Sequence, residues 1–388
     1  MKKVFPFLVF AALPLITFAQ SQWTIRSPVP QRNSLNGVIY TGTQFVAVGD
    51  SGAILTSPDG IAWTPRASGV TIALSSIISA DTQLVTVGDS GTILTSPDGI
   101  AWTARNSGTI APLYSITSAD THMVAISYKV VVPASKDGIT WIPRASVTPA
   151  RATAITWTGT HLVAACDSGR IFTSPDAIFW TPRTTGSTDS LRSIIWTGTQ
   201  LVTVGTGGAI LTSPNGITWT SRNSGTTLPL FSITFTGTQL VAVGRVGTVL
   251  TSPDGITWTK HNSGTTETLL SVTSDGTQLV AVGTNGTILT SPLDHVTKIN
   301  PRLGDHGISF RVTGSSLFAS LPPTMPAQGM RVAIYSMTGI KVAEVNDIGN
   351  SGGIHIPING LGSGAYFCEV KGHAGANKYE RIRIAPIR

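Results

Sequence analysis

LFSITFTGTQLVAVGRVGTVLTSPDGITWTKHNS, residues 230–263, holds one complete unit of the pattern that organises this chain. Leu230 to Thr236 alternates apolar and polar residues, the period of a strand with one buried face. Gln239 to Val243 is an apolar run suited to a strand buried on both faces. Thr248 to Thr251 and Ile256 to Lys260 are two further short β segments. Gly- and Asp-rich turns separate the four, and none shows a sustained helical period.

The unit recurs. Trp63, Trp102, Trp141, Trp180, Trp219 and Trp258 follow one another at 39 residues, and Trp23 lies 40 before Trp63. Four strands in a unit of about 40 residues is one blade of a β-propeller. We label the strands A to D. Ser252-Pro253-Asp254-Gly255 joins C to D, with Pro presetting φ in a type I turn. Ser57, Ser96, Ser174 and Ser213 open the same tetrad, with Asn215 and Ala177 as local variants. Asp59, Asp98, Asp137, Asp176 and Asp254 fill its acidic position, where Asp bonds its own backbone. Pro65, Pro143 and Pro182 in strand D remove ladder donors, so D is the outer edge strand.

The B–C half occurs seven times. The Trp-bearing D strand also occurs seven times, but the first, at Trp23, precedes every B–C half. A ring of seven blades follows, with Gln22 to Arg26 serving as strand D of the blade built from residues 266–291. Such closure removes the sheet edges between first and last blades.

Ser-Pro-Asp-Gly-Ile-Thr-Trp resembles the Asp-box of bacterial neuraminidase repeats, one residue shorter because Gly follows Asp directly. The blade is also similar to those of the photosystem II assembly-factor propellers. The resemblance implies fold rather than activity.

Residues 1–19 read as a secretory signal peptide. Lys2 and Lys3 precede an apolar stretch, Val4 to Phe18, shorter than the roughly 20 residues of a membrane span, and Ala19 ends it. No later run is long enough to span, so no transmembrane segment is expected after cleavage. The propeller is expected over residues 20–292, a linker over 293–305, and an all-β unit of seven short strands, a small β-sandwich, over 306–388. Val332, Ile334, Tyr335 and Gly339, Leu361 to Phe367 and the basic strand Lys378 to Arg388 resemble the carboxyl-terminal sorting domain of type IX secretion. That resemblance implies secretion machinery as a partner, and a destination outside, or on the outer-membrane surface of, a Gram-negative bacterium.

Composition narrows the chemistry. Charged residues are 12% of 388, and net charge is +7. Residues 20–293 carry 14 Lys and Arg against 13 Asp and Glu, so the propeller is nearly neutral and a nucleic-acid footprint is not expected. The seven His are scattered without metal-ligand spacing, so neither metal nor cofactor is expected. Cys166 and Cys368 lie in different domains, either as free thiols or as a bridge. Gly49-Asp50-Ser51-Gly52 and Gly88-Asp89-Ser90-Gly91 mimic a serine-protease motif, but they occupy a recurring hairpin slot with no partner His.

The expected role is a non-catalytic binding or adhesion module. Two alternatives stand beside it: a sialidase-like glycoside hydrolase, and a chaperone resembling the assembly-factor propellers. A glycosidase needs a placed carboxylate pair or Tyr nucleophile, and the Asp residues mostly occupy turns. For binding, Arg66, Arg105, Arg144, Arg183 and Arg222 stand three residues after their Trp and are expected to ring the face bearing the B–C and D–A turns. Blade 3 breaks the pattern there, with Tyr128-Lys129-Val130 replacing Asp-Ser-Gly and Pro133 in strand C. An acidic glycan or acidic protein surface is therefore expected to dock near Tyr128, Lys129 and Arg144.

Overall fold

The computed structural model describes residues 23–26, 30–80, 83–120, 122–127, 131–145 and 150–293, together with seven strands between residues 309 and 384. The signal segment, residues 294–305 of the linker, Tyr128 and Lys129 lie outside the described residues. The chain divides into two compact units, Met1–Leu293 and Asp294–Arg388.

The first unit is a seven-bladed β-propeller, built from seven antiparallel sheets of four strands. In blade 1 the strands are A, Leu35–Tyr40; B, Phe45–Gly49; C, Ile54–Ser57; and D, Thr64–Arg66. Strand B is buried throughout and strand D is largely exposed. That gradient follows the sequence: Phe-Val-Ala-Val-Gly offers apolar side chains to both faces, whereas Thr-Pro-Arg lies on an outer edge that needs no ladder donor from its Pro. The A strands are innermost. Leu35–Tyr40 lies beside both Leu74–Ala80 of blade 2 and Leu269–Ser274 of blade 7, closing the ring. Every A–B pair carries a bulge near its start, between Leu35 and Gly37 in blade 1 and between Leu269 and Ser271 in blade 7, which adds twist where the blades converge.

Closure follows the strand arithmetic. Thr24 and Ile25 pair with Thr290 and Leu289, so the amino-terminal strand completes blade 7. Arg26 adds a backbone bond from its N–H to the Ile288 carbonyl at 2.8 Å.

Apolar clusters fill the spaces between blades. One joins Leu35, Phe45 and Leu55 of blade 1 to Val280, Val282 and Ile288 of blade 7, with Trp63 packed against it. Another joins Leu191, Leu201 and Leu211 of blade 5 to Val163 and Ile171 of blade 4 with Trp219. Each such fully buried side chain contributes about 1.5–3 kcal/mol.

The Asp-Ser-Gly slot is a single tight turn. Ser51 sits at φ 55° and Gly52 at φ 70°, and a Cβ on Gly52 would collide with the Val70 carbonyl of the D–A loop. The protease-like motif is thus a turn closed against backbone, with its serine in the left-handed region.

The second unit contains the seven expected strands. Ser309–Thr313, Ser316–Ser320 and Gly353–Pro357 form one antiparallel sheet. Lys341–Asn346, Arg331–Ser336, Gly364–Lys371 and Asn377–Ile384 form another, in that spatial order. No helix among the described residues is long and apolar enough to cross a membrane.

Candidate functional site

Three side-chain devices repeat around the ring, and the site is defined by where they fail together. The first is the C–D turn. Ser57 accepts the Gly60 N–H at 2.8 Å, and Asp59 Oδ1 accepts the N–H groups of Ile61 and Ala62 at 2.8 and 2.9 Å. Trp63 Nε1 then donates to the Gly60 carbonyl at 3.0 Å. The same set recurs at Asp98–Trp102, Asp137–Trp141, Asp176–Trp180 and Asp254–Trp258, with Asn215 performing the role before Trp219. These bonds hold the carboxylates below their ordinary value. For Asp137 the Thr140 N–H has the largest effect, followed by Ile139, and the value falls to about 2. The Asp and Trp series are therefore parts of turns and of inter-blade packing. Trp23 differs, because its indole N–H is buried without a hydrogen-bond partner among the described residues.

The second device holds the Arg series. Arg66 Nε donates to Thr56 Oγ1 at 2.9 Å, and Arg105, Arg183 and Arg222 donate to Thr95, Thr173 and Thr212 at 2.9, 3.0 and 2.9 Å. Arg26 reaches Thr290 at 2.7 Å, and His261 is bonded to Thr251 at the same distance. Arg66 is paired in register with Ile54, two residues before Thr56. The side chain therefore turns back along strand C toward the C–D turn. The expected ring of guanidinium groups at the B–C face is not what the structure places there: a hydroxyl on the adjacent strand captures Arg66, Arg105, Arg183 and Arg222 within their own blades.

The third device links blades. Gln44 Nε2 donates to the Asp98 carbonyl in the next blade at 2.7 Å. Gln83 does so to Asp137, Gln200 to Asp254 and Gln278 to Asp59 at 2.5, 2.9 and 2.8 Å.

At the junction of blades 3 and 4 the second and third devices are replaced. Ala134, buried, stands where the other six blades carry Thr. Arg144 has no hydroxyl to hold it there and reaches across the junction, where Nη1 donates to the Asp176 carbonyl at 3.2 Å. That carbonyl is the one an inter-blade Gln would take, but His122 occupies the Gln position. Ala177 stands where five other blades have Gly, and it keeps the left-handed backbone at φ 63°. A Cβ on the equivalent Gly99 or Gly255 would lie 3.3 or 3.2 Å from the incoming Gln Nε2. The Ala177 methyl and an inter-blade Gln thus compete for one space. Asp120, at φ 46°, likewise stands where blades 1 and 4–7 have Gly at φ 88–96°.

These exchanges leave a pocket of about 320 Å³ lined by Asp120, His122, Ala134, Arg144, Trp157 and Asp176 among others. It opens on the face bearing the A–B and C–D turns. Trp157 Nε1 donates to Asp120 Oδ1 at 3.2 Å, fixing the indole at the pocket wall. Burial first, and then the charges of Lys136 and Arg144, hold the His122 imidazole below its ordinary value of 6.5. Two non-glycine residues held in left-handed backbone at one pocket mark a place where local strain is kept, a feature that clusters at functional sites. Of the residues singled out in sequence for binding, Arg144 enters this pocket, while Arg66, Arg105, Arg183 and Arg222 stay in their own blades; Asp176, named there as a turn residue, also lines it. Asp120, His122 and Trp157 were not singled out; the signal for Asp120 and His122 lies in the repeat columns, as departures from Gly and Gln at aligned positions, whereas Trp157 shares a column with Tyr40, Trp196 and Phe235 and does not stand out there.

No group of three or more His, Cys, Asp or Glu among the described residues is arranged to hold a metal ion. Among the described residues Cys166 is a free, buried thiol, pushed up to about 12 chiefly by burial and then by the adjacent Asp167 charge.

No protein family matches the chain, and no curated protein does. Solved propellers do. The structure described as YCF48 bound to D1 peptide superposes with a TM-score of 0.61 at 16% identity, covering 73% of this chain and 99% of that one. Catalytically inactive virginiamycin B lyase from Staphylococcus aureus with quinupristin gives 0.62 at 10% identity, over 70% and 99%. The WD40 propeller domain of Doa1 gives 0.57 at 12%, over 71% and 97%. At these identities the likeness is one of fold. One of these neighbours holds a peptide and one is a lyase.

Proposed function

We propose that this protein is a non-catalytic binding module that captures an acidic ligand, an acidic glycan or an acidic protein surface, in the pocket between blades 3 and 4. The observation that carries the reading is Arg144, the member of the Arg series turned out of its own blade and into a cavity. A guanidinium that spends one N–H on a neutral carbonyl keeps further donors for a carboxylate in bidentate geometry. The carboxylates bordering the pocket favour binding over hydrolysis. Asp176 Oδ1 accepts Ile178 and Phe179 N–H groups at 2.8 and 3.0 Å, and Asp120 Oδ1 accepts the Trp157 indole. Neither is arranged as one of a free acid–base pair. A solved propeller of the same fold with a peptide bound fits a capture role.

Export belongs to the same proposal. The signal-like residues 1–19 and the sorting-domain resemblance at the carboxyl end support display outside the cell by a type IX-like route. Deleting residues 306–388 is expected to leave a folded propeller retained in the envelope; normal surface display of that truncation would refute the route.

The binding reading is tested by immobilising the full chain and passing acidic and neutral glycans and acidic peptides over it, with chromogenic glycosides assayed in parallel. Retention of acidic probes that weakens with salt and with Arg144→Ala is the expected result. Turnover of a glycoside would favour the hydrolase instead.

A further inference from the structure

We propose that the pocket selects a carboxylated pyranose, specifically a uronate residue within an acidic polysaccharide chain. This rests on the acidic-ligand reading above and names its ligand class.

Three groups meet at the pocket, and together they describe one ligand. Arg144 supplies a cation for a carboxylate. The half-buried indole of Trp157 lines the same cavity and supplies a flat apolar wall for the C–H face of a ring. Asp120 contributes a carboxylate acceptor beside that wall, its orientation set by the indole N–H. An acceptor of this kind suits sugar hydroxyls, which donate. A Glu or Asp side chain would satisfy Arg144 and leave both Trp157 and Asp120 without a role. The cavity, about 320 Å³, lies at the low end of the roughly 300–1,000 Å³ of small-molecule sites and suits a single ring rather than a folded surface. The strands that carry His122 and Ala134 are paired on both sides, and Ala177 and Asp120 hold left-handed backbone at φ 63° and 46°.

The repeat itself supplies the decisive variant. Combining Ala134→Thr, His122→Gln and Ala177→Gly rewrites the junction into the form carried elsewhere in the ring. The hydroxyl introduced by Ala134→Thr would recapture Arg144 within blade 3, and the amide introduced by His122→Gln would take the Asp176 carbonyl across the junction. The triple variant is expected to fold at least as stably as the parent, because it removes a strained alanine and restores a hydrogen bond used at four other junctions.

Isothermal titration of the full chain would use short oligogalacturonates, their carboxyl-reduced neutral counterparts and polyglutamate. Expected are measurable binding of the oligogalacturonate, binding about tenfold or more weaker for the carboxyl-reduced form, for Arg144→Ala and for Trp157→Ala, and loss of binding in the folded triple variant. Binding of polyglutamate through Arg144 without binding of oligogalacturonate would overturn the sugar assignment while leaving acidic capture standing. Binding of neither probe would overturn both. Oligogalacturonate binding that survives in the folded triple variant would overturn the placement of the site.

Discussion

Gln278 and Asp59 are 219 residues apart in the chain, and the Gln278 side-chain amide donates to the Asp59 carbonyl at 2.8 Å. The same bond joins Gln44 to Asp98 between consecutive blades, so the junction where the two ends of the propeller meet is built like an ordinary one. Replacing either glutamine by Ala is expected to cost about 0.5–1.5 kcal/mol, the net worth of one such bond. Chemical denaturation of the two variants should give similar losses; a much larger effect at Gln278 would show that the closing junction is a weak seam.

Removing the first strand is a different perturbation. Thr24 and Ile25 complete the blade 7 ladder, and Trp23 is buried among Val241, Val243 and Leu269. A chain starting after Arg26 is expected to lose several kcal/mol and to expose the Ile288–Pro292 edge. Thermal unfolding compared with the full propeller measures it, and an unchanged melting temperature would mean that closure does not depend on this strand.

The tryptophans are expected to act through packing. Trp219 is buried between blades 4 and 5 and bonded to the Gly216 carbonyl at 3.1 Å. Trp219→Ala should cost about 3–5 kcal/mol. A loss below about 1 kcal/mol in equilibrium unfolding would contradict the packing role.

Acid should unfold the propeller through its turns. Asp59, Asp98, Asp137, Asp176 and Asp254 are all held below the ordinary 3.8, and Asp137 falls to about 2. A carboxyl depressed on folding contributes stability that is present above its unfolded value and lost as pH falls through its folded one. Stability is therefore expected to decline between about pH 4 and pH 2. Blade 5 shows the remedy: Asn215 Oδ1 accepts the Ile217 and Thr218 N–H groups at 2.9 and 3.0 Å with no proton to take up. Changing the five Asp to Asn should leave neutral stability nearly unchanged and flatten the acid limb of a melting-temperature profile.

Ligand capture should strengthen on mild acidification. His122 lies below 6.5, through burial and then Lys136 and Arg144, with Asp120 and Asp176 on the flanking turns. An arriving carboxylate favours the imidazolium and raises its value, so binding takes up a proton and tightens as pH falls from about 7.5 to about 5.5. Titration at the two pH values measures the gain. His122→Gln should abolish it, and an unchanged slope in that variant would remove His122 from the site.

The seven blades, the outer position of strand D and the closing strand were legible because each rests on counting: tryptophans at a fixed spacing, prolines where no ladder donor is needed, and one D strand too many at the start. The pocket was not legible in the same way. Sequence pointed to blade 3 through its altered B–C turn, and to Arg144 through its spacing from Trp141. The direction of Arg144 depends on a threonine absent ten residues earlier, on the neighbouring strand, and its destination depends on a carbonyl in another blade. Spacing within one unit carries neither fact; only aligned columns of the repeat, read for a missing hydroxyl, would have shown them.

The pairing of the first strand with the last also sets an order in time. Arg26 is made 264 residues before its partner Thr290, on the order of tens of seconds at ordinary rates of synthesis. Six blades can form in sequence as the chain lengthens, each lying on the one before. The seventh must wait, and through that wait Leu35, Phe45 and Leu55 have no blade 7 to cover them. The interval in which this protein is most open to mispairing is therefore written into its topology, and it ends only when the final strand of the propeller arrives.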